Sequence, residues 1–70
     1  MDDAITVLLD GHAHAVAAAT TLAMLIASLG HAPTAVTTAV NGQFVPRAQR
    51  EALVLREGDA VLLFQPIVGG

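Results

Sequence analysis

The chain has no cysteine, and that absence removes disulfides, thiolate nucleophiles and cysteine metal sites together. Stability is left to packing, and a reducing cytoplasm suits such a protein. Lysine is absent too. Arg47, Arg50 and Arg56 are the only strong cations beside a formal net charge of −3, so there is no basic stripe to gather phosphates and nucleic acid is not an expected partner. Nor is there a long apolar run. The stretch from Ala15 to Leu29 is interrupted by Thr20, Thr21 and Ser28 and falls short of the roughly 20 residues of a membrane span. A secretory signal opens on positive charge, whereas Asp2 and Asp3 stand at the start here. The expectation is a soluble, unprocessed, cytoplasmic protein with no membrane role.

What the chain does have is apolar material. Its 70 residues are 54% hydrophobic, above the roughly 45–50% of ordinary domains, which argues against disorder. A chain this short forms one domain with one core, burying only about 60% of its unfolded surface and leaving no room for a deep cleft.

Residues Ala4 to Leu9 are aliphatic or β-branched without a helical period, and Asp10-Gly11 after them is a two-residue hairpin signal. The return strand is expected over His12 to Val16. Leu22, Leu25, Ile26 and Leu29 fall at i, i+3, i+4 and i+7, one stripe of a helix, with Thr20 or Thr21 placed to cap its start and Gly30 its end. Pro33 stops any continuation. Ala35 to Val40 then reads as a strand running into Asn41-Gly42, a second hairpin signal, with Gln43 to Val45 as the short partner. Past Pro46, Ala48 to Ala52 is at most a helical turn, Leu53 to Leu55 a short strand, Glu57-Gly58-Asp59 a turn and Ala60 to Phe64 a last apolar strand. A helix that follows a hairpin buries its stripe by crossing over the sheet. The order predicts an α+β fold of two layers, with one helix on one face of a mixed sheet.

An enzyme needs a nucleophile, a base or a metal set, and candidates are few. His12 and His14 alternate along one strand and share a face, but a metal site takes three or four ligands; the expectation is two exposed histidines on a wet sheet face. His31 follows the helix end, near the negative pole of its dipole. The carboxylates Asp2, Asp3, Asp10, Glu51, Glu57 and Asp59 are scattered over a terminus, turns and a connector, where charge sits in water. Arg47 and Arg50, three apart, would grip a phosphate or a carboxylate, or form a plain solvated pair, which is the expectation.

The end of the chain is different. After Phe64 come Gln65, Pro66, Ile67, Val68, Gly69 and Gly70: a proline that discourages pairing and then two residues without side chains. Two terminal glycines arise by chance in about 0.5% of chains, taking glycine at roughly 7% of residues. The organisation expected is a domain over 1–64 and a flexible tail over 65–70. A Gly-Gly end is the slimmest peptide available, able to thread a narrow channel and set its carboxylate beside a nucleotide. A carboxylate is a poor acylating group until it is activated, ordinarily by adenylation with AMP as leaving group. The chain lacks a phosphate-binding loop and a cysteine, so activation would fall to a partner.

Val40-Asn41-Gly42-Gln43-Phe44-Val45-Pro46-Arg47, then Glu57-Gly58-Asp59, then Leu63-Phe64-Gln65-Pro66-Ile67-Val68-Gly69-Gly70 resembles the sulfur-carrier protein of thiamine biosynthesis, the ThiS family. The likeness covers essentially the whole chain. It implies a ubiquitin-like β-grasp fold, with a four- to five-stranded sheet packed by one main helix, and a carrier rather than an enzyme. A ThiF-like adenylyltransferase would activate the carboxylate of Gly70 with ATP. A persulfide sulfur donor would displace AMP, and the thiocarboxylate would pass its sulfur to thiazole synthase. Carried over by position, Gly70 is the attachment point, Gly69 its slim neighbour, and Phe64, Gln65, Pro66, Ile67 and Val68 the segment that docks on partners. No cofactor is expected on the chain itself; ATP is used by the partner. The alanine-rich amino-terminal half and the acidic lead Met1 to Asp3 depart from the family pattern.

A sheet covered on one side alternates apolar and polar residues, yet Ile5 to Leu9 and Val61 to Phe64 are apolar almost throughout. Phe64 or Leu62, with Ile67, is therefore expected in a contact patch, unless loops cover them. The nearest alternative is the small subunit of molybdopterin synthase, which shares the Gly-Gly end but fits the Asn-Gly-x-x-Val-Pro-Arg stretch less well. Other readings are a β-grasp interaction module that never uses its carboxylate, and a protein modifier, for which the lack of lysine rules out lysine-linked chains.

Overall fold

A computed structural model of the chain describes residues 3–65. In chain order its elements are β1 (Ala4–Leu9), β2 (His12–Ala17), α1 (Leu22–Ser28), β3 (Thr37–Val40), β4 (Gln43–Val45), a 3₁₀ helix (Arg47–Gln49) and β5 (Ala60–Phe64). The five strands form one sheet in the order β2-β1-β5-β3-β4. β1 and β5 run parallel at its centre while the other pairs are antiparallel.

Both hairpins turn on left-handed residue pairs: Asp10 and Gly11 at φ 50° and 84°, Asn41 and Gly42 at φ 52° and 82°. Positive φ at both central residues marks the type I′ turn, whose twist matches that of the strands. α1 starts at Thr21, whose Oγ1 accepts from the N–H of Met24 at 3.1 Å. It stops in a Schellman closure: the N–H of Gly30 donates to Ala27 O and that of His31 to Ile26 O, with Gly30 at φ 83°. His31 thus stands just past the helix end, as expected.

The helical stripe meets one face of the sheet. Leu22, Leu25 and Ile26 pack with Val7, Val61, Val40, Val45, Val36 and Leu55, ringed by half-buried neighbours that include Ile5, Leu9 and Leu63. Alternation does the sorting, since Val7 and Val61 turn inward while Leu8 and Leu62 turn out.

Three expected elements differ. β3 starts at Thr37 rather than Ala35, because the chain over 35–36 makes other bonds: Ala35 N–H closes a turn on Ala32 O, and Val36 O accepts from Arg50 Nη2 at 2.7 Å. Leu53 to Leu55 makes a single bridge, Thr21 with Val54, flanked by bonds from Leu22 N–H to Leu53 O and from Leu55 N–H to Thr20 O. Its partner becomes helical at Leu22, so the ladder has nowhere to continue. The turn expected over Ala48 to Ala52 is the 3₁₀ helix Arg47–Gln49.

The arginine pair is also corrected. Arg47 is exposed, but Arg50 is only 4% exposed and its guanidinium is bound within the protein. Its Nε donates to Thr38 Oγ1 at 3.1 Å, Nη1 to Pro33 O at 2.8 Å and Nη2 to Val36 O at 2.7 Å. Thr38, itself fully buried, donates its hydroxyl hydrogen bond to Val45 O at 2.9 Å. Arg50 therefore ties the connector after α1 to β3 and, through Thr38, to β4. Burial, with a smaller contribution from the nearby charge of Arg47, lowers the Arg50 pKa from its ordinary value.

Candidate functional site

Among the described residues no helix or strand covers the face of the sheet away from α1. Register decides which residues share it, because side chains directly opposite on paired strands point the same way. Leu8 stands opposite Ala60, Ala39 opposite both Leu62 and Phe44, and Thr37 opposite Phe64. Leu8 is 43% exposed, Leu62 39%, Phe64 50% and Phe44 65%. Four large apolar side chains on β1, β5 and β4, separated by alanine and threonine, make a band across the open face. Loops do not bury Leu62 and Phe64. Gln65 is exposed beside them, and Pro66, Ile67, Val68, Gly69 and Gly70 lie outside the described residues.

Phe44 was not singled out from sequence, though a signal existed. In the short strand after Asn41-Gly42, placing Val45 in the core forces Phe44 to the other side.

The histidines are placed differently from expectation. His12 pairs with Leu9 and His14 with Val7, whose side chains turn inward, so both stand on the helix side of the edge strand β2. His12 is exposed there, and His14 is half-buried beside a hollow it shares with Thr20, Met24 and Ser28. Among the described residues no group of three or more His, Asp or Glu side chains is placed to hold a metal ion. No helix among them is long and apolar enough to cross a membrane.

β5 carries the chain toward Gly70, and polar side chains pin its start. The amide of Asn41 bridges two neighbours, with Nδ2 donating to Asp59 Oδ1 at 3.0 Å and Oδ1 accepting from Ala60 N–H at 2.9 Å. Asp59 Oδ2 accepts from Arg56 N–H at 2.9 Å, closing its own turn. Glu57 Oε1 accepts from Thr6 N–H at 3.0 Å, and Gly58 N–H donates to Thr6 O at 2.8 Å. Asn41-Gly42 and Glu57-Gly58-Asp59, distant in sequence, thus form one latch that locks the β3–β4 turn and β1 to the head of β5. These motif residues do structural work.

A family model described as the ThiS family matches residues 6–70. The chain belongs to the ThiS family. Over 64 residues it is 36% identical to the sulfur carrier protein ThiS of Escherichia coli (strain K12), a match spanning 91% of this chain and 97% of that one. The crystal structure of a thiamine biosynthesis protein (ThiS) from Geobacter metallireducens superposes with a TM-score of 0.82 at 26% identity, covering 94% of this chain and all of that one. An NMR solution structure of a thiamine biosynthesis protein from the same organism superposes at a TM-score of 0.74 and 26% identity, covering 94% and 88%. The ThiS fold is the α+β β-grasp expected from sequence, with five strands. Within this ThiS-family chain the latch residues shape the scaffold, and the apolar band occupies the open face.

Proposed function

We propose that this chain is a sulfur carrier of thiamine biosynthesis whose working group is the carboxylate of Gly70. The observation that carries the reading is that the ThiS family match extends through Gly70 itself. In this reading the chain is substrate and sulfur donor for partner enzymes. An adenylyltransferase supplies ATP; a carboxylate oxygen of Gly70 attacks the α-phosphorus and pyrophosphate leaves. The terminal sulfur of a persulfide donor then attacks the acyl carbon and AMP leaves. A thiol cleaves the resulting S–S bond, is itself oxidised to a disulfide, and releases the thiocarboxylate on Gly70. The chain has no cysteine, so persulfide and thiol both belong to partners. Thiazole synthase takes the sulfur.

The scaffold's part is recognition and delivery. Leu8, Leu62, Phe64 and Phe44 form the apolar band on which a partner docks, while Gln65 to Val68 lead into the partner's channel and Gly69 keeps the approach slim. Phe44 and Phe64 are of the aromatic type enriched in interface cores.

The test is intact-mass measurement after incubation with a ThiF-like adenylyltransferase, ATP and a sulfur source. Exchange of one oxygen for sulfur, lost when Gly70 is deleted, is the expected result. No mass change and no adenylate, with either a thiamine-type or a molybdopterin-type activating enzyme, overturns the carrier reading in favour of an interaction module.

A further inference from the structure

β5 is held differently along its two edges. On the β3 side pairing runs to the end of the strand, with Thr37 opposite Phe64. On the β1 side it covers Leu8 with Ala60 and Leu9 with Val61 and then stops, because the chain reverses at Asp10-Gly11 in the left-handed region. The main-chain bonds along this edge alternate: Leu8 N–H donates to Asp59 O at 2.8 Å and Asp10 N–H to Val61 O at 2.9 Å. The next donor on β5 is the N–H of Leu63. In a continuing parallel ladder its acceptor would be the carbonyl of the residue at position 10. The turn ends β1 at that point, and the Asp10 side chain substitutes, Oδ1 accepting from Leu63 N–H at 3.0 Å.

We propose that Asp10 is a positioning residue for the chemistry at Gly70: its carboxylate extends the β1–β5 pairing by one bond, so that with the β3 pairing at Thr37 the end of β5 is held from both edges where the chain leaves the sheet after Phe64. The inference rests on the carrier reading. Gly70 lies five residues beyond Gln65, a reach of at most about 18 Å. A strand end free on its β1 edge widens the volume open to Gly70 within that reach. Docking of the apolar band and entry of the tail into a partner's channel must happen together, so a strand end left free on that edge adds an ordering cost to binding. The bond is within one turn of the last described strand residue, and no other described side chain holds the β1 edge of β5 beyond Val61.

Two substitutions isolate the acceptor. Asp10→Gly removes it while keeping a residue suited to the left-handed turn, and Asp10→Asn restores an oxygen acceptor in an Asn-Gly pair equally suited to the turn. The experiment is ATP–pyrophosphate exchange by a ThiF-like adenylyltransferase with the full chain as varied substrate, together with amide hydrogen exchange at Leu63. D10G is expected to raise KM about fivefold with kcat little changed, and to speed exchange at Leu63 about tenfold without affecting Val61; D10N is expected to rescue both. An unchanged KM in D10G despite faster exchange at Leu63 overturns the proposal. So does a D10N variant as impaired as D10G with Leu63 protected, which would assign the effect to the charge meeting the partner. Absence of exchange with the unaltered chain would instead overturn the carrier reading itself.

Discussion

Arg50 Nη2 donates to the main-chain carbonyl of Val36 at 2.7 Å, a charged donor meeting a neutral acceptor inside the protein. Two further bonds, to Pro33 O and Thr38 Oγ1, use the same guanidinium. A planar fork can meet three acceptors spread around it, whereas an ammonium on a flexible stem meets them poorly. Arg50→Lys is therefore expected to lower the unfolding free energy by about 2 kcal/mol and Arg50→Ala by about 3 kcal/mol, through orphaned buried acceptors. Urea unfolding of both variants checks this; a neutral Arg50→Lys would refute it.

Ala19 sits at φ 70° without being glycine, in the bend between β2 and the start of α1. A Cβ in that region costs about 1 kcal/mol. Ala19→Gly should stabilise the domain, raising its thermal midpoint by about 4–8 °C, as read by circular dichroism.

Asn41 carries two bonds of the latch at the head of β5 and also occupies a left-handed turn position. Asn41→Ala loses both features and is expected to cost about 2 kcal/mol. Asn41→Gly relieves the backbone and loses only the side-chain bonds, so it should recover about half of that. Equal losses in the two variants would show that the bonds alone matter.

Phe44 is the most exposed large apolar residue of the open band and contributes nothing to the buried core. Phe44→Ser should leave stability within about 0.5 kcal/mol yet weaken binding to the activating partner about tenfold or more. Isothermal titration alongside thermal melting separates the two effects, and undiminished binding would remove the band from the docking surface.

Much of this architecture is legible in the sequence because its signals are local. Asp10-Gly11 and Asn41-Gly42 state their turns outright, and Leu22, Leu25, Ile26 and Leu29 mark a helical face without reference to anything else. Arg50 is the opposite case. Its burial depends on the carbonyls of Pro33 and Val36, supplied by a connector many residues earlier, and nothing beside Arg50 in the chain announces them. The same holds for Asp10: a carboxylate in a turn reads as solvated, and only the pairing of β1 with a strand from the other end of the chain gives it Leu63 as donor. Leu53 to Leu55 has the composition of a strand but lacks a partner that stays extended. For the candidate site, Leu62 and Phe64 follow from an apolar run too continuous for a half-covered sheet, whereas Phe44 needs the parity of β4 to be worked out first.

The pairing of β1 with β5 has a consequence for how the protein folds. The sheet's middle joins strands from opposite ends of the described residues, so its central seam is a long-range pairing whose loop-closure cost is met before its contacts reward it. A chain cut before β5 loses that seam, the inward side chains of Val61 and Leu63, and Leu62 and Phe64 of the open band together. The apolar band is therefore displayed only by a chain whose core is also complete, so the surface itself reports that the fold has closed.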